Sequence, residues 1–199
     1  MNDLSRTVLS SQIVFLNRLK IQIFSIFLLK VTESIAAVTG SLDRECSFYA
    51  ARLFAQSTPK GQAYEMIHSL NEMVVSLLHE HHLRNNSYPK RIVFFRDGVS
   101  EGQFSTVLRW EMNKIREACQ TINVAYKPAI SFILVQKRHH TRFFPVDPKD
   151  KNGKAENVPP GTIVDKTIVT QSLFDFFLCS HVGIQVNNKQ KIFINMFRF

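Results

Sequence analysis

The sequence predicts a mixed α/β sheet flanked by helices, and two observations support this fold class. The first is the order of its segments, in which two strand-like segments precede a helical one and the two kinds then alternate, as ββαβαβ. The second is a hydrophobic content of 45% with seventeen phenylalanines, which indicates a packed interior and excludes a disordered chain. At 199 residues the chain can form one domain, or the larger part of one, with a sizeable core.

The amino-terminal segment 13–31 is strongly apolar, but its longest uncharged run, 21–29, has only nine residues. Such a run is too short to span a bilayer, so no membrane association is predicted. A signal peptide is disfavoured because no small-residue cleavage site follows the run. We expect a buried strand or helix here, or sequence that is foreign to the domain.

The next elements are two strands and a helix. Apolar segments 34–39 and 47–55 flank a turn at 40–43, a pattern that predicts a pair of strands. Segment 62–82 is predicted as an amphipathic helix that packs on the sheet. Its apolar residues at helical spacing are Met66, Leu70, Met73, Val74, Leu77 and Leu78.

The second half alternates strands and a helix. The apolar run 92–95 predicts a buried strand that ends in a turn at Asp97 and Gly98. A helix is expected from about 101 to 119, with Ser100 as its N-cap and Gln103 completing a capping box. Segment 129–136 is a further buried strand, 147–160 a charged loop, and 162–169 a strand near an edge. Segment 172–179 fits a helix or a strand by periodicity, and we favour a short strand.

The net charge indicates the class of binding partner, and the cysteine content indicates the cellular compartment. The net charge of +9 favours a polyanionic partner, with nucleic acid ahead of an acidic membrane surface. Three scattered cysteines are too few for a disulfide framework or a zinc site, so a reducing compartment, the cytoplasm, is expected.

Asp97 is the first candidate functional residue, because it places a carboxylate at the end of a buried strand. A strand, a tight turn with an acid, and then a helix is how α/β enzymes present catalytic groups at the carboxyl edge of a sheet. The alternative is that Asp97 only turns or caps the chain.

A cluster of basic residues follows the strand 129–136 directly. Lys137, Arg138 and Arg142 are suited to backbone phosphates, and His139 and His140 can add hydrogen-bond donors. The alternative is a solvated charge run without a ligand.

Five blocks, in this order and spacing, resemble the PIWI domain of an Argonaute-family protein, closer to the Argonaute branch than to the Piwi branch. They are RIVFFRDGVSEGQF at 91–104, IREAC at 115–119, FILVQKRHHTRFF at 132–144, VPPGT at 158–162 and FDFFLCSHVGIQ at 174–185. Several independent blocks are a more specific signal than one short motif. The resemblance covers about residues 34–185.

The resemblance implies an RNase H-like fold that holds a small guide RNA and can cut the paired target RNA. The active site of the family is a set of acids and a histidine that binds two divalent metals, commonly Mg²⁺. Asp97 matches its second catalytic aspartate and would be a metal ligand. Glu65 matches its inserted glutamate, with an exposed helix carboxylate as the alternative. The positions that match the guide-binding path are Lys137, Arg138, His140, Arg142, Ser180 and His181.

Two departures from the family limit this expectation. The segment that carries the first catalytic aspartate is not found, since there is no carboxylate between Asp3 and Glu33, and the final histidine is missing as well. We therefore expect a partial PIWI domain at 34–185 between non-family segments 1–33 and 186–199, and a sheet incomplete at both ends. The missing first strand would be central to the sheet, so residues 1–33 either replace it or pack poorly.

RNA binding without efficient cleavage is therefore the leading functional expectation, with Mg²⁺ bound weakly or not at all. One alternative is a metal-dependent endoribonuclease in which Glu33 or Asp43 replaces the missing acid. Another is a protein-interaction module for Trp-rich silencing partners, although the residues at 79–88 depart from the expected aromatic pattern. A truncation that does not fold stably is the remaining alternative.

Overall fold

The computed structural model describes residues 18–26, 33–57, 66–97, 99–136, 139–152, 157–169, 174–180 and 190–195. In this part of the chain, eight strands and two α-helices are present. The strands are β1 (Arg18–Ile26), β2 (Glu33–Ser41), β3 (Tyr49–Ser57), β4 (Arg91–Asp97), β5 (Ala129–Gln136), β6 (Ile163–Val164), β7 (Asp175–Leu178) and β8 (Gln190–Asn195). The helices are α1 (Leu70–Asn85) and α2 (Phe104–Ile122). No helix among the described residues is both long and apolar enough to cross a membrane.

The eight strands form one mixed sheet in the order β3-β2-β1-β4-β5-β8-β7-β6. Strands β1, β4 and β5 are parallel to one another, and β2 and β3 form an antiparallel hairpin beside β1. On the other side, β8, β7 and β6 continue the sheet by antiparallel pairing. The carboxyl ends of β1, β4, β5 and β7 therefore lie at one edge of the sheet.

Strand β1 occupies the central position that the sequence analysis expected to be missing or replaced. It pairs with β2 from Ile21 opposite Gly40 to Ile26 opposite Ile35, and with β4 from Arg18 beside Arg91 to Ile23 beside Arg96. For segment 13–31 the sequence left a strand, a helix or foreign sequence open, and its described part, Arg18–Ile26, forms a strand. Similarly, β8 lies between β5 and β7, in the segment predicted to be a non-family tail.

The hydrophobic core lies between one face of the sheet and the two helices. Alternate residues of β4 and β5 point to this face, and Phe94 and Phe132 pack there with their ring centroids 4.8 Å apart. From α1, Val74 and Leu77 are fully buried against them, and α2 contributes Ile115. The helical spacing predicted for α1 and the buried strands predicted at 92–95 and 129–136 thus meet in one core.

The beginnings of both helices differ from the prediction. Helix α1 begins at Leu70 rather than at 62, and residues 62–65 lie outside the described residues. Helix α2 begins at Phe104, after a 3-10 turn at Glu101–Gln103 in which the Gln103 amide donates to the Ser100 carbonyl, 3.0 Å. The predicted capping box is wrong, because Gln103 occupies the cap position and its side chain makes no capping hydrogen bond.

The strand predicted at 162–169 is only two residues long. Thr167 has a φ of 67°, and the Ile168 amide donates to the Lys166 carbonyl at 2.7 Å, so the chain turns tightly after β6. The preference for a short strand within 172–179 is confirmed by β7, in which Asp175 and Phe177 are buried.

Candidate nucleic-acid interface and strand-end carboxylate

Asp97 ends β4 at the sheet edge where the carboxyl ends of β1, β4, β5 and β7 lie. Its neighbour on β5 is Val135. On β1, the neighbouring position is Phe24, one step beyond the pair of Ile23 and Arg96. Both adjacent strands therefore place an apolar residue beside Asp97, and neither supplies a second acid at this level.

Arg96 anchors the end of β4 to helix α2 from the buried side of the sheet. Its Nε donates to both carboxylate oxygens of Glu111, at 3.0 and 3.2 Å, and its Nη1 donates to the carbonyl oxygen of Asp97 at 2.6 Å. Because side chains alternate along a strand, Asp97 lies on the opposite face from Arg96 and is only half-buried. The ion pair thus fixes the peptide that carries Asp97.

Glu65 lies outside the described residues. The described chain resumes at Met66, whose carbonyl accepts a hydrogen bond from Gln56 Nε2 at 3.1 Å. The Gln56 side chain also accepts from the His68 amide at 3.3 Å. Since Gln56 pairs with Ser34 at the open end of the hairpin, Met66 and His68 lie near the same sheet edge as Asp97.

Neither proposed substitute acid lies beside Asp97. Asp43 is in the turn between β2 and β3, at the opposite sheet edge, where its carboxylate accepts hydrogen bonds from the amides of Ser47 and Phe48, each at 2.9 Å. Desolvation raises the pKa of Asp43, but these bonds and one from the Ser47 hydroxyl together outweigh it and lower that pKa, so the carboxylate stabilises the turn. Glu33 lies four residues beyond Ala37, the partner of Phe24, which is about 13 Å along the strand.

The described residues do not fit a magnesium site. Mg²⁺ takes near-octahedral oxygen coordination, and two-metal catalysis needs carboxylates that converge on both ions. Among the described residues, no group of three or more His, Cys, Asp or Glu side chains could hold a metal ion. Asp97 therefore belongs to no such group in this part of the chain.

The basic cluster after β5 is partly described. Lys137 and Arg138 lie outside the described residues, whereas His140 and Arg142 are exposed. Arg142 Nη1 donates to the carbonyls of His139, at 2.7 Å, and Thr141, at 2.9 Å, so its guanidinium is held at the surface. Gln136, the residue directly before the cluster, ends β5 at the same sheet edge as Asp97.

Ser180 follows β7 and is exposed, and His181 lies outside the described residues. Because β7 is antiparallel to β8, and β8 is antiparallel to β5, the chain leaves β7 at the edge where it leaves β5. The structure thus brings Asp97, Gln136 directly before the basic cluster, and Ser180 to one edge of the sheet. Sequence spacing alone could not place Ser180 there.

The strand order and the matched sequence range together decide the family. The family model of the Piwi domain matches residues 25–191, a range that begins within β1 and ends within β8. This chain belongs to the Piwi domain family. The RNase H-like fold that the sequence motifs implied is confirmed, with two helices packed on one face of a mixed sheet.

Solved structures place the same fold in larger proteins. The Piwi domain described here is similar to the C-terminal lobe of a budding yeast Argonaute, with a TM-score of 0.76, 28% identity, and coverage of 90% of this chain and 37% of that one. Kluyveromyces polysporus Argonaute with a guide RNA matches with a TM-score of 0.75, 24% identity, and coverage of 91% and 21%. Drosophila Piwi matches with a TM-score of 0.72, 24% identity, and coverage of 89% and 23%.

These coverages mean that the chain spans between about a fifth and two fifths of the length of the proteins it resembles.

Glu111 is the structural residue that sequence reasoning missed in this Piwi domain. The available signal was its position among Val107, Met112 and Ile115, since a carboxylate on the apolar stripe of a helix needs a buried partner.

Proposed function

We propose that this Piwi domain binds RNA, as a guide strand or a guide–target duplex, without cleaving it efficiently. The observation that supports the proposal is that β5 and β7, the strands that end just before the basic cluster and Ser180, finish at the same sheet edge. A net charge of +9 adds a general attraction for a polyanion. One of the similar structures is of an Argonaute with a guide RNA, which supports nucleic acid as the partner.

Phosphate contacts supply the binding free energy in this proposal. Arg142 is fixed by two backbone carbonyls, so little side-chain entropy is lost when it meets a phosphate. His140 and Ser180 are exposed and can donate hydrogen bonds to phosphate oxygens. Such contacts carry no base specificity, so affinity depends on salt concentration more than on sequence.

Filter binding across a salt series tests the proposal. Replacing Lys137, Arg138 and Arg142 by alanine is expected to weaken RNA binding and to flatten the salt dependence, by about 0.7 in slope for each lost single-strand contact. The matched control replaces three cations at the opposite sheet edge, Lys90, Arg91 and Lys127, which are exposed. Equal losses in both triple variants would refute a specific role for the cluster, because the net charge falls equally.

A second candidate function is metal-dependent cleavage of a guide-paired target. Piwi domains are generally metal-dependent, and Asp97 ends its strand at the edge that receives the RNA in this proposal. Incubation of the protein, a guide and a labelled target with Mg²⁺ tests it. Cleavage that disappears in Asp97→Asn supports this candidate, and intact target at a large excess of protein excludes it.

Docking of a Trp-rich silencing partner is a third candidate, for which the relevant observation is an aromatic cluster near the end of α1. Tyr88 stacks on His82 with centroids 4.3 Å apart, and its hydroxyl lies 3.1 Å from His79 Nδ1. These rings contact one another and leave less surface for an indole. Retention on an immobilised Trp-rich peptide, lost in Tyr88→Ala, would favour this candidate over RNA binding.

A further inference from the structure

The segment at 139–146, after the basic cluster begins, alternates between inward and outward residues. The rings of His139 and Phe143 both pack edge-on against Phe177 of β7, with centroids at 5.4 and 5.2 Å. The intervening residues at even positions are exposed: His140, Arg142, Phe144 and Val146. The Phe177 ring thus holds one side of the segment against the sheet, and the other side faces solvent.

Phe144 is the phenylalanine of the outward-facing set. Its side chain is 76% exposed, although burying a phenylalanine ring is favourable by about 1.5–3 kcal/mol. It lies two positions from Arg142, a separation of about 7 Å in extended backbone. An exposed aromatic ring therefore lies next to a cation that is fixed at the surface.

An aromatic ring beside a phosphate-binding cation has the chemistry of a single-strand nucleic-acid site. Bases stack on aromatic side chains regardless of sequence, because every base has a π-face, while nearby cations follow the backbone. A paired base in a duplex is already stacked between its neighbours and gains less from such a ring. The arrangement therefore distinguishes unpaired from paired nucleotides.

We propose that Phe144 is a stacking surface for an unpaired base of the RNA strand whose phosphate Arg142 contacts. This inference rests on the proposed RNA binding and adds to it a preference for single-stranded nucleotides at this position. The positive charge around the ring favours RNA over an apolar protein segment as its occupant. His140, on the same outward-facing side, extends the contact along the strand.

Fluorescence anisotropy with three labelled probes of equal length tests the inference: a single-stranded RNA, the matching RNA duplex, and an abasic oligonucleotide that keeps the phosphates. Phe144→Ala is expected to weaken binding of the single strand at least about fivefold and to leave abasic binding unchanged. The salt dependence stays as in the unmodified protein, because no phosphate contact is lost. Phe144→Tyr retains binding, because its ring can still stack.

Two control variants separate stacking from a general loss of apolar surface. Val146→Ala removes aliphatic surface from the same outward-facing side, and Phe48→Ala removes an exposed ring at the opposite sheet edge, where Arg84 lies 4.2 Å from the ring centroid. Neither is expected to change RNA affinity. Because Phe144 is exposed, Phe144→Ala is also expected to keep the melting temperature, which thermal denaturation checks.

A spectroscopic variant reports the contact directly. The protein has one tryptophan, so Phe144→Trp combined with Trp110→Phe leaves a single indole at the proposed stacking position. Single-stranded RNA is expected to quench its fluorescence, and the abasic probe is not.

The outcomes separate the two proposals. Single-strand affinity that is unchanged in Phe144→Ala, or an equal loss for the abasic probe, overturns the stacking role and leaves RNA binding in place. Failure of the unmodified protein to bind any of the three probes overturns both proposals.

Discussion

Arg96 Nε lies 3.0 Å from Glu111 Oε1, and the two side chains are 1% and 0% exposed, so this is a fully buried ion pair between β4 and α2. A second guanidinium nitrogen of Arg96 donates to the Asp97 carbonyl. Desolvating two charges is costly, and their mutual attraction offsets that cost only while both partners are present. The pair therefore makes the end of β4 dependent on α2.

Removing one partner of this pair is expected to destabilise the domain strongly. Glu111→Gln leaves a buried guanidinium without its counter-charge and should lower the free energy of unfolding by about 3–5 kcal/mol. Replacing both residues together, as Arg96→Met with Glu111→Leu, should cost less than the single change. Urea denaturation measures both variants and the unmodified protein, and a double variant no more stable than Glu111→Gln would contradict this account.

The stability of the domain is expected to fall in mild acid because of His81. This residue is 2% exposed, burial lowers its pKa, and its Nδ1 lies 3.2 Å from the Ser87 carbonyl. Since its pKa is lower in the folded state than the unfolded value of about 6.5, the unfolded chain takes up the proton first. The contribution of neutral His81 to the free energy of unfolding is thus fully present above about pH 6.5 and is lost as the pH falls below that value.

Urea denaturation at pH 7.5 and 5.5 measures this effect. His81→Gln, which can still donate to Ser87, should show a smaller decrease in stability between the two pH values than the unmodified protein. The remaining histidines are the same in both proteins, so their contribution cancels. A decrease of equal size in both would assign the acid sensitivity to other groups.

Two of the three thiols, Cys46 and Cys119, are expected to react at very different rates. Cys119 is 2% exposed and burial raises its pKa to about 12, whereas Cys46 is half-buried at the β2–β3 turn. Because the thiolate is the reactive form, iodoacetamide at pH 8 should modify Cys46 more than about 100-fold faster than Cys119. Mass spectrometry of timed digests measures the order, and rapid labelling of Cys119 in the folded protein would contradict the packing described here.

A proline in β1 is expected to disrupt the sheet, because this strand has hydrogen-bonded neighbours on both sides. Ile23 pairs with Val38 on one side and lies beside Arg96 on the other, so Ile23→Pro removes a ladder hydrogen bond from the centre and should cost about 3 kcal/mol or more. Thermal denaturation followed by circular dichroism measures the loss.

Val124→Pro is the matched control for the proline variant. Val124 is 78% exposed and follows Asn123, whose carbonyl accepts from the Tyr126 amide at 2.8 Å, so it is the second residue of a turn that tolerates proline. Its stability should stay within about 0.5 kcal/mol of the unmodified protein. Equal stability of the two proline variants would contradict a central position for β1.

Local patterns were sufficient to predict much of this domain. The apolar run before Asp97, the apolar segment at 129–136 and the helical spacing around Leu77 are patterns of near neighbours in sequence. They were sufficient to predict β4, β5 and the core face of α1. The motif blocks specified the family. Helix starts were less predictable, because a 3-10 turn before Phe104 competes with a capping box for the same backbone amides.

What the sequence determined by itself was the kind of each element and the chemistry that each strand end carries. Only the tertiary structure decided which strand is central, because any apolar run can fill a central position and pairing joins residues far apart in sequence, such as Ile23 and Arg96. For the same reason, only the structure showed that Glu111 neutralises Arg96, and that Phe177 holds His139 and Phe143 on one side so that Arg142 and Phe144 face solvent together.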